Sequence, residues 1–413
     1  MADNVTLKCT WGRTPLPASS TPQVAYLLVE ATPQGSSEAV PQNLCFVLDR
    51  SGSMQGPKLA SMKDATKRVI DMLTPQDTVA VVIFDDQVQT LVTATSAADK
   101  DALKATIDTI QEAGGTAMSG GLQAGQAEVI RNHGPDKISS VVLLTDGQTW
   151  GDEDQCRAIA QQLGQAGVRV TALGLGAEWN EKLLDDIADA TGGISDYIAD
   201  SSKISSFFQR AVRAAQGTVA RDARLLLRLT RDTNPRAVYR ALPTISNLGY
   251  QPIGQNEVAV RMGDLEAGAA ASVIVELMLP PRAAGSFRIA QAELHYTPLG
   301  QEMEQILKQD VLVDITGDAN AAKYDPRVMN LVEKVTAFKL QTRALSEAEA
   351  GNISGATQKL RAAATRLLDL GELELARSAQ EQAEQLEQGK GMSAETQKEL
   401  RYATRRLTQK LEE

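Results

Sequence analysis

NLCFVLDRSGSM, residues 43–54, is the stretch on which the reading of this 413-residue chain turns. Leu44, Cys45, Phe46, Val47 and Leu48 form an uninterrupted apolar run. Such a run fits a strand buried on both faces, as in a parallel sheet covered by helices. It ends in Asp49-Arg50-Ser51-Gly52-Ser53, so one carboxylate and two hydroxyls crowd a single turn. Residues 57–73 then carry helical periodicity, with Pro57 near the first turn where its missing N–H costs nothing.

Outward from this turn the same alternation repeats. Apolar runs at 79–84, 88–92, 138–144, 168–173 and 194–198 read as strands. Amphipathic stretches at 99–110, 119–131, 153–166, 180–190 and 203–215 read as helices. Residues 43–216 therefore predict an α/β doubly wound, mostly parallel sheet of Rossmann-like type. Residues 24–29 before this unit, and 225–229, 257–262, 273–279, 287–296 and 311–315 after it, read as strands separated by Pro and Gly. That texture is an antiparallel β-sandwich. The N-terminal strands are too few to form a sheet alone, so 1–42 and 217–320 are expected to build one sandwich into which the α/β unit is inserted. From 321 to 413 the period is helical: Val328, Leu331, Val332, Val335 and Phe338 share a face, and later stripes run through Leu360 to Leu368, Leu375 to Leu386, and Leu400, Ala403, Leu407 and Leu411. This predicts a C-terminal α-helical bundle.

The chemistry gathers at strand ends. Thr145-Asp146-Gly147 closes the 138–144 run with a second carboxylate at the edge where Asp49 lies. Gly114-Gly115-Thr116 supplies a hydroxyl-bearing loop ahead of the 119–131 helix. In open α/β sheets, ligands settle outside the carboxyl ends of the strands. Two carboxylates and three hydroxyls are hard oxygen donors, the set that suits Mg²⁺, with Mn²⁺ or Ca²⁺ as alternatives.

These residues bring the chain to a known pattern. Asp49-x-Ser51-x-Ser53, Thr116 and Asp146 resemble the metal-ion-dependent adhesion site of von Willebrand factor A domains. The surrounding FVLDRSGSM (46–54), GGTAMSGGL (114–122), VVLLTDG (141–147) and GLGAEWNEKLLDDIADATGG (174–193) are similar to intracellular and bacterial members of that family. The resemblance covers about residues 43–216. It implies that Ser51, Ser53 and Thr116 touch the metal directly and that one of Asp49 and Asp146 acts through water. It implies also that the ion accepts an Asp or Glu carboxylate from a protein partner, that this binding moves the last helix at 203–215, and that an AAA+ ATPase is a partner class to test.

Bulk composition narrows the alternatives. The net charge is −10, and residues 43–216 carry 23 Asp and Glu against 15 Lys and Arg. An acidic unit repels phosphate backbones, so nucleic acid is not an expected partner. No apolar run approaches the ~20 residues of a membrane span, and Met1 to Ser20 is polar, unlike a secretory leader. Cys9, Cys45 and Cys156 form neither a disulfide framework nor a zinc cluster by spacing, and predict a cytoplasmic protein. Asp85 and Asp86 read as turn residues. Asp152, Glu153 and Asp154 read as a helix N-terminus rather than ligands. The expected class is a non-enzymatic binding module. Two alternatives remain open: Mg²⁺-dependent phosphoryl transfer with Asp49 as nucleophile, which would want a second Asp and a Lys nearby, and a scaffold whose metal is purely structural.

Overall fold

The computed structural model describes residues 5–34, 40–249, 251–254, 256–391 and 393–411. Met1 to Asn4 of the polar N-terminus and the side chain of Leu411 lie outside these residues. The chain opens with β1 (Val5–Trp11), the short strands β2 (Arg13–Thr14) and β3 (Leu16–Pro17), and β4 (Gln23–Pro33). It then enters an α/β unit of β5 (Gln42–Asp49), α1 (Pro57–Met72), β6 (Thr78–Phe84), β7 (Val88–Ser96), α2 (Lys100–Asp108) and α3 (Met118–Arg131). The unit continues through β8 (Ile138–Thr145), α4 (Glu153–Gln165), β9 (Arg169–Leu175), α5 (Glu181–Thr191), β10 (Ile194–Ile198) and α6 (Ile204–Gln216).

The sheet of this unit runs β10-β9-β8-β5-β6-β7. Five strands are parallel, and β7 closes the edge antiparallel to β6. Every residue of β5, β6 and β8 is buried, which explains their continuous apolar segments at 44–48, 79–84 and 141–144; polar Gln42, Asn43, Ser139 and Ser140 lie near the strand starts. Alternate side chains serve opposite faces. Leu44, Phe46 and Leu48 join a core with Met62, Val69, Ile204, Phe208 and Val212, and Phe46 stacks on Phe208 at 5.4 Å between ring centroids. Val47 faces α3 instead, where a Cβ on Gly125 would fall 2.5 Å from its methyl group. From β5 the chain moves to β6 on one side, while β8 lies on the other. The carboxyl ends of β5 and β8 therefore flank the point where strand order reverses, the crevice that ligands occupy in such folds.

The rest of the chain forms β11 (Thr218–Leu229), β12 (Asn234–Leu242), β13 (Ser246–Asn247), β14 (Gln251–Gly254), β15 (Glu257–Glu266), β16 (Ala271–Leu279), β17 (Gly285–Pro298), β18 (Gln305–Thr316) and β19 (Lys323–Tyr324). The helices α7 (Pro326–Glu349), α8 (Ile353–Asp369), α9 (Leu373–Glu387) and α10 (Ala394–Arg405) follow. Two larger sheets result, ordered β1-β4-β16-β12-β13 and β14-β15-β11-β17-β18-β3, and β19 pairs with β2 in a two-stranded one. Nine residues of β4 pair antiparallel with β16, from Gln23 opposite Leu279 to Ala31 opposite Ala271. The N-terminal strand thus finds its partner beyond the α/β segment, about 240 residues later along the chain. Trp11 on β1 donates its indole N–H to the Leu312 carbonyl of β18 at 2.6 Å.

The helices of the C-terminal segment share a core with the first of these sheets. Leu28, Tyr239 and Ile274 cluster with Leu331, Val335, Phe338 and Leu367. By contacts the chain divides into two units: Ser36–Asp222 with Thr297–Met303, and Met1–Gly35 with Ala223–Tyr296 and Glu304–Glu413.

Candidate metal centre

Three loops meet at the reversal point. The turn after β5 is stitched to its neighbours by backbone bonds: Arg50 N–H donates to the Phe84 carbonyl at 2.9 Å, Ala113 N–H to the Arg50 carbonyl at 2.9 Å, and Gly52 N–H to the Gly114 carbonyl at 3.1 Å. Gly114 has φ +41°, and a side chain on it or on Gly115 would collide with the Asp86 carboxylate. The left-handed conformation at 114 favours glycine, and a side chain at either position would have to displace the Asp86 carboxylate. Arg50 pairs with buried Asp85 at 2.5 Å, and Asp85 also accepts from Gln87 N–H at 2.6 Å. Asp85 therefore braces the turn from behind, while its carbonyl accepts from Ala117 N–H and fixes the start of α3.

The side chains at this junction form one chain of contacts. Ser51 and Ser53 hydroxyls lie 3.0 Å apart, and the Ser53 hydroxyl donates to Asp146 Oδ1 at 2.6 Å. Asp49 Oδ1 accepts from Ser51 N–H at 2.8 Å, and Oδ2 accepts from the Thr145 hydroxyl at 2.6 Å. A Cβ placed on Gly147 would come within 3.3 Å of the Thr116 hydroxyl and 3.8 Å of the Ser53 hydroxyl, so Thr116 faces the same cradle. All five residues singled out from the sequence meet here. Among the described residues, no group of three or more His, Cys, Asp and Glu converges as a metal cluster; this junction brings together two carboxylates with hydroxyls.

Burial makes this arrangement electrostatically tense. Asp49 is 0% and Asp146 1% exposed. Desolvation pushes the Asp49 carboxyl up to about 6; bonds from Thr145 and Ser51 oppose the rise, and the neighbouring Asp146 charge adds to it. Two adjoining carboxylates withdrawn from water favour a cation between them. Donors of this kind, two carboxylates with three hydroxyls, fit a small hard dication.

The structure adds contacts that the sequence did not show. Lys58, the second residue of α1, places its Nζ 2.5 Å from Asp146 Oδ2. Thr149 bonds to the Thr116 carbonyl at 3.0 Å and also to Asp152. The Asp152 carbonyl accepts from Cys156 N–H at 3.0 Å in its own helix, but its side chain does not bond there; Oδ2 accepts from Ser119 N–H at 2.8 Å and caps α3, whose Ala117 offers no side-chain acceptor. Between Thr149 and Asp152, Trp150 stands 83% exposed at the rim.

A family model for the von Willebrand factor type A domain matches residues 43–210. Residues 43–210 are a von Willebrand factor A domain. A second model, the Sll0103-like C-terminal alpha-helical domain, matches 326–410, the segment that contains α7 to α10. Over 388 residues the chain is 27% identical to uncharacterized protein sll0103 of Synechocystis sp., covering 93% of this chain and 92% of that one. It is 25% identical over 259 residues to uncharacterized protein YfbK of Escherichia coli, covering 59% of this chain and 43% of YfbK. A solved von Willebrand factor type A protein from Catenulispora acidiphila superposes with a TM-score of 0.78 over 98% of both chains at 19% identity, which establishes a shared fold. The A domain thus sits within a longer architecture that these relatives hold in common.

Proposed function

We propose that Asp49, Ser51, Ser53, Thr116 and Asp146 of the A domain hold a divalent cation, Mg²⁺ or else Mn²⁺ or Ca²⁺, which accepts an Asp or Glu carboxylate from a protein partner. The observation that carries this reading is the buried Asp49 and Asp146 pair, with the hydroxyls of Ser51 and Ser53 in line beside it. Counting charges, Lys58 offsets one carboxylate and a dication would turn the remaining −1 into +1. The three hydroxyl ligands are neutral and leave that charge available to an anionic side chain. The protein is then a metal-dependent binding module rather than an enzyme, and an AAA+ ATPase is among the partners to test. Among the described residues no helix is long and apolar enough to cross a membrane. Three free thiols support a reducing, cytoplasmic setting.

One observation favours a second reading. Lys58 and Asp146 beside Asp49 are the two groups that phosphoryl transfer would need. Against it, Asp49 is fully buried with both oxygens already engaged by Ser51 and Thr145, so neither is presented to an incoming phosphorus. Calorimetric titration of an identified partner in Mg²⁺ and in EDTA, with wild type and Thr116→Ala, tests the binding reading. Mg²⁺ is expected to tighten binding, and Thr116→Ala to weaken it with the fold intact. Equal affinity in all four titrations would leave the metal a structural role only.

A further inference from the structure

Lys58 occupies an electrostatically awkward place. It follows Pro57 at the start of α1, whose first turn contains no acidic residue. The positive end of a helix dipole repels an ammonium there, so the position needs a compensating partner. That partner is Asp146, whose buried carboxylate is divided between two donors: Oδ1 takes the Ser53 hydroxyl at 2.6 Å and Oδ2 takes Lys58 Nζ at 2.5 Å. Lys58 keeps 38% of its side chain exposed. Asp146 is its one hydrogen-bond partner among the described residues. An ammonium has three N–H donors, so two remain at the mouth of the site.

We propose that Lys58 is a second half of the anion-binding surface, so that an incoming carboxylate is shared between the metal ion and the Lys58 ammonium. This deepens the proposed function and rests on its metal site. Asp146 would serve both the ion and Lys58, which would bring two cationic centres to one rim. Their sum exceeds the charge of Asp49 and Asp146 by one, and a carboxylate returns the site to neutrality. A neutral oxygen donor such as an amide leaves that excess standing, so the pair selects acids over amides. Lys58 has an opposite influence on the metal itself, since a fixed positive charge beside Asp146 opposes a dication by Coulomb repulsion. The residue therefore trades metal affinity for anion affinity.

The test uses Mn²⁺ as the metal and acetate as the carboxylate, read by water-proton relaxation in the full chain. Acetate that displaces a metal-bound water lowers the paramagnetic enhancement. Lys58→Met is expected to bind Mn²⁺ at least as tightly as wild type, to need about tenfold more acetate for the same loss of enhancement, and to be restored by Lys58→Arg. An unchanged acetate midpoint in Lys58→Met overturns the role of Lys58 and leaves the metal site standing. Loss of Mn²⁺ binding in Lys58→Met also overturns it, making the residue a prop for Asp146. A wild-type chain that binds no Mn²⁺ removes the metal site and this inference together.

Discussion

At the residue scale the decisive group is Asp49. Its carboxyl is raised to about 6 chiefly by burial, against an ordinary value near 4 in the unfolded chain. The folded state therefore holds the proton more tightly than the unfolded state. Its stabilising effect is complete below about pH 4 and is lost as pH rises through about 6. Two units correspond to about 3 kcal/mol. Without metal, Asp49→Asn is expected to be more stable than wild type at pH 7 by up to that amount, with the gap closing below pH 5, as denaturant titrations at both pH values would measure. A gap that stays constant with pH would show that Asp49 is not the titrating group. For the same reason, the rise in Tm caused by Mg²⁺ should be larger at pH 7.5 than at pH 5. Trp150 offers a second test. Trp11 and Trp179 are buried, whereas Trp150 is 83% exposed beside the site, so a bound partner should protect tryptophan fluorescence from acrylamide; undiminished quenching would place the partner elsewhere. The convergence of the five candidate residues was legible because strand-end motifs gather carboxylates and hydroxyls within short stretches. Lys58 was not, since its partner Asp146 lies 88 positions away. Asp152 stands at the N-terminus of its own helix, as its position suggested, but its side chain bonds to Ser119 of α3, 33 positions earlier, and that contact could not be read locally.

At the element scale, α3 sets the position of Thr116. It approaches the sheet through glycine: a Cβ on Gly121 would lie 2.7 Å from the Phe84 ring, and one on Gly125 2.5 Å from Val47. Gly125→Val is expected to cost about 1–3 kcal/mol by overpacking and to weaken Mg²⁺ binding, because the helix carries its N-terminal loop with it. Chemical denaturation and calorimetry on one preparation would check both; full metal affinity would show that the loop is held independently of the helix. The buried strands β5, β6 and β8 were readable because burial on both faces leaves a continuous apolar run. The strands β1 and β12 escaped the sequence reading. Residues of β1 are mixed in burial without a clean period of two, and β12 contains Pro235 next to a register shift between Pro235 and Ala237, which breaks the local strand signal. The antiparallel β7 runs on to Ser96, beyond the apolar part at 88–92, because its second half is polar and partly exposed.

At the scale of the whole molecule, the path of the chain dictates which pieces stand alone. Strand β4 lies between β1 and β16, so a fragment of 217–320 lacks a central strand and is expected to be unfolded by circular dichroism. Residues 43–216 carry their own buried sheet and should fold in isolation; a cooperative unfolding transition for 217–320 would contradict this division. The C-terminal helices share apolar contacts with Leu28, Tyr239 and Ile274, so removing 321–413 should expose that sheet face and lower the Tm of the remaining chain. The proposed metal site lies within the A domain, so metal binding can be measured without any partner. The measurement is isothermal calorimetry of Mg²⁺ into the metal-stripped full chain at pH 7.5, wild type beside Asp49→Ala/Asp146→Ala. The expected result is one Mg²⁺ per wild-type chain and no binding by the double variant. Equal binding by both proteins, or none by the wild type, would contradict the account.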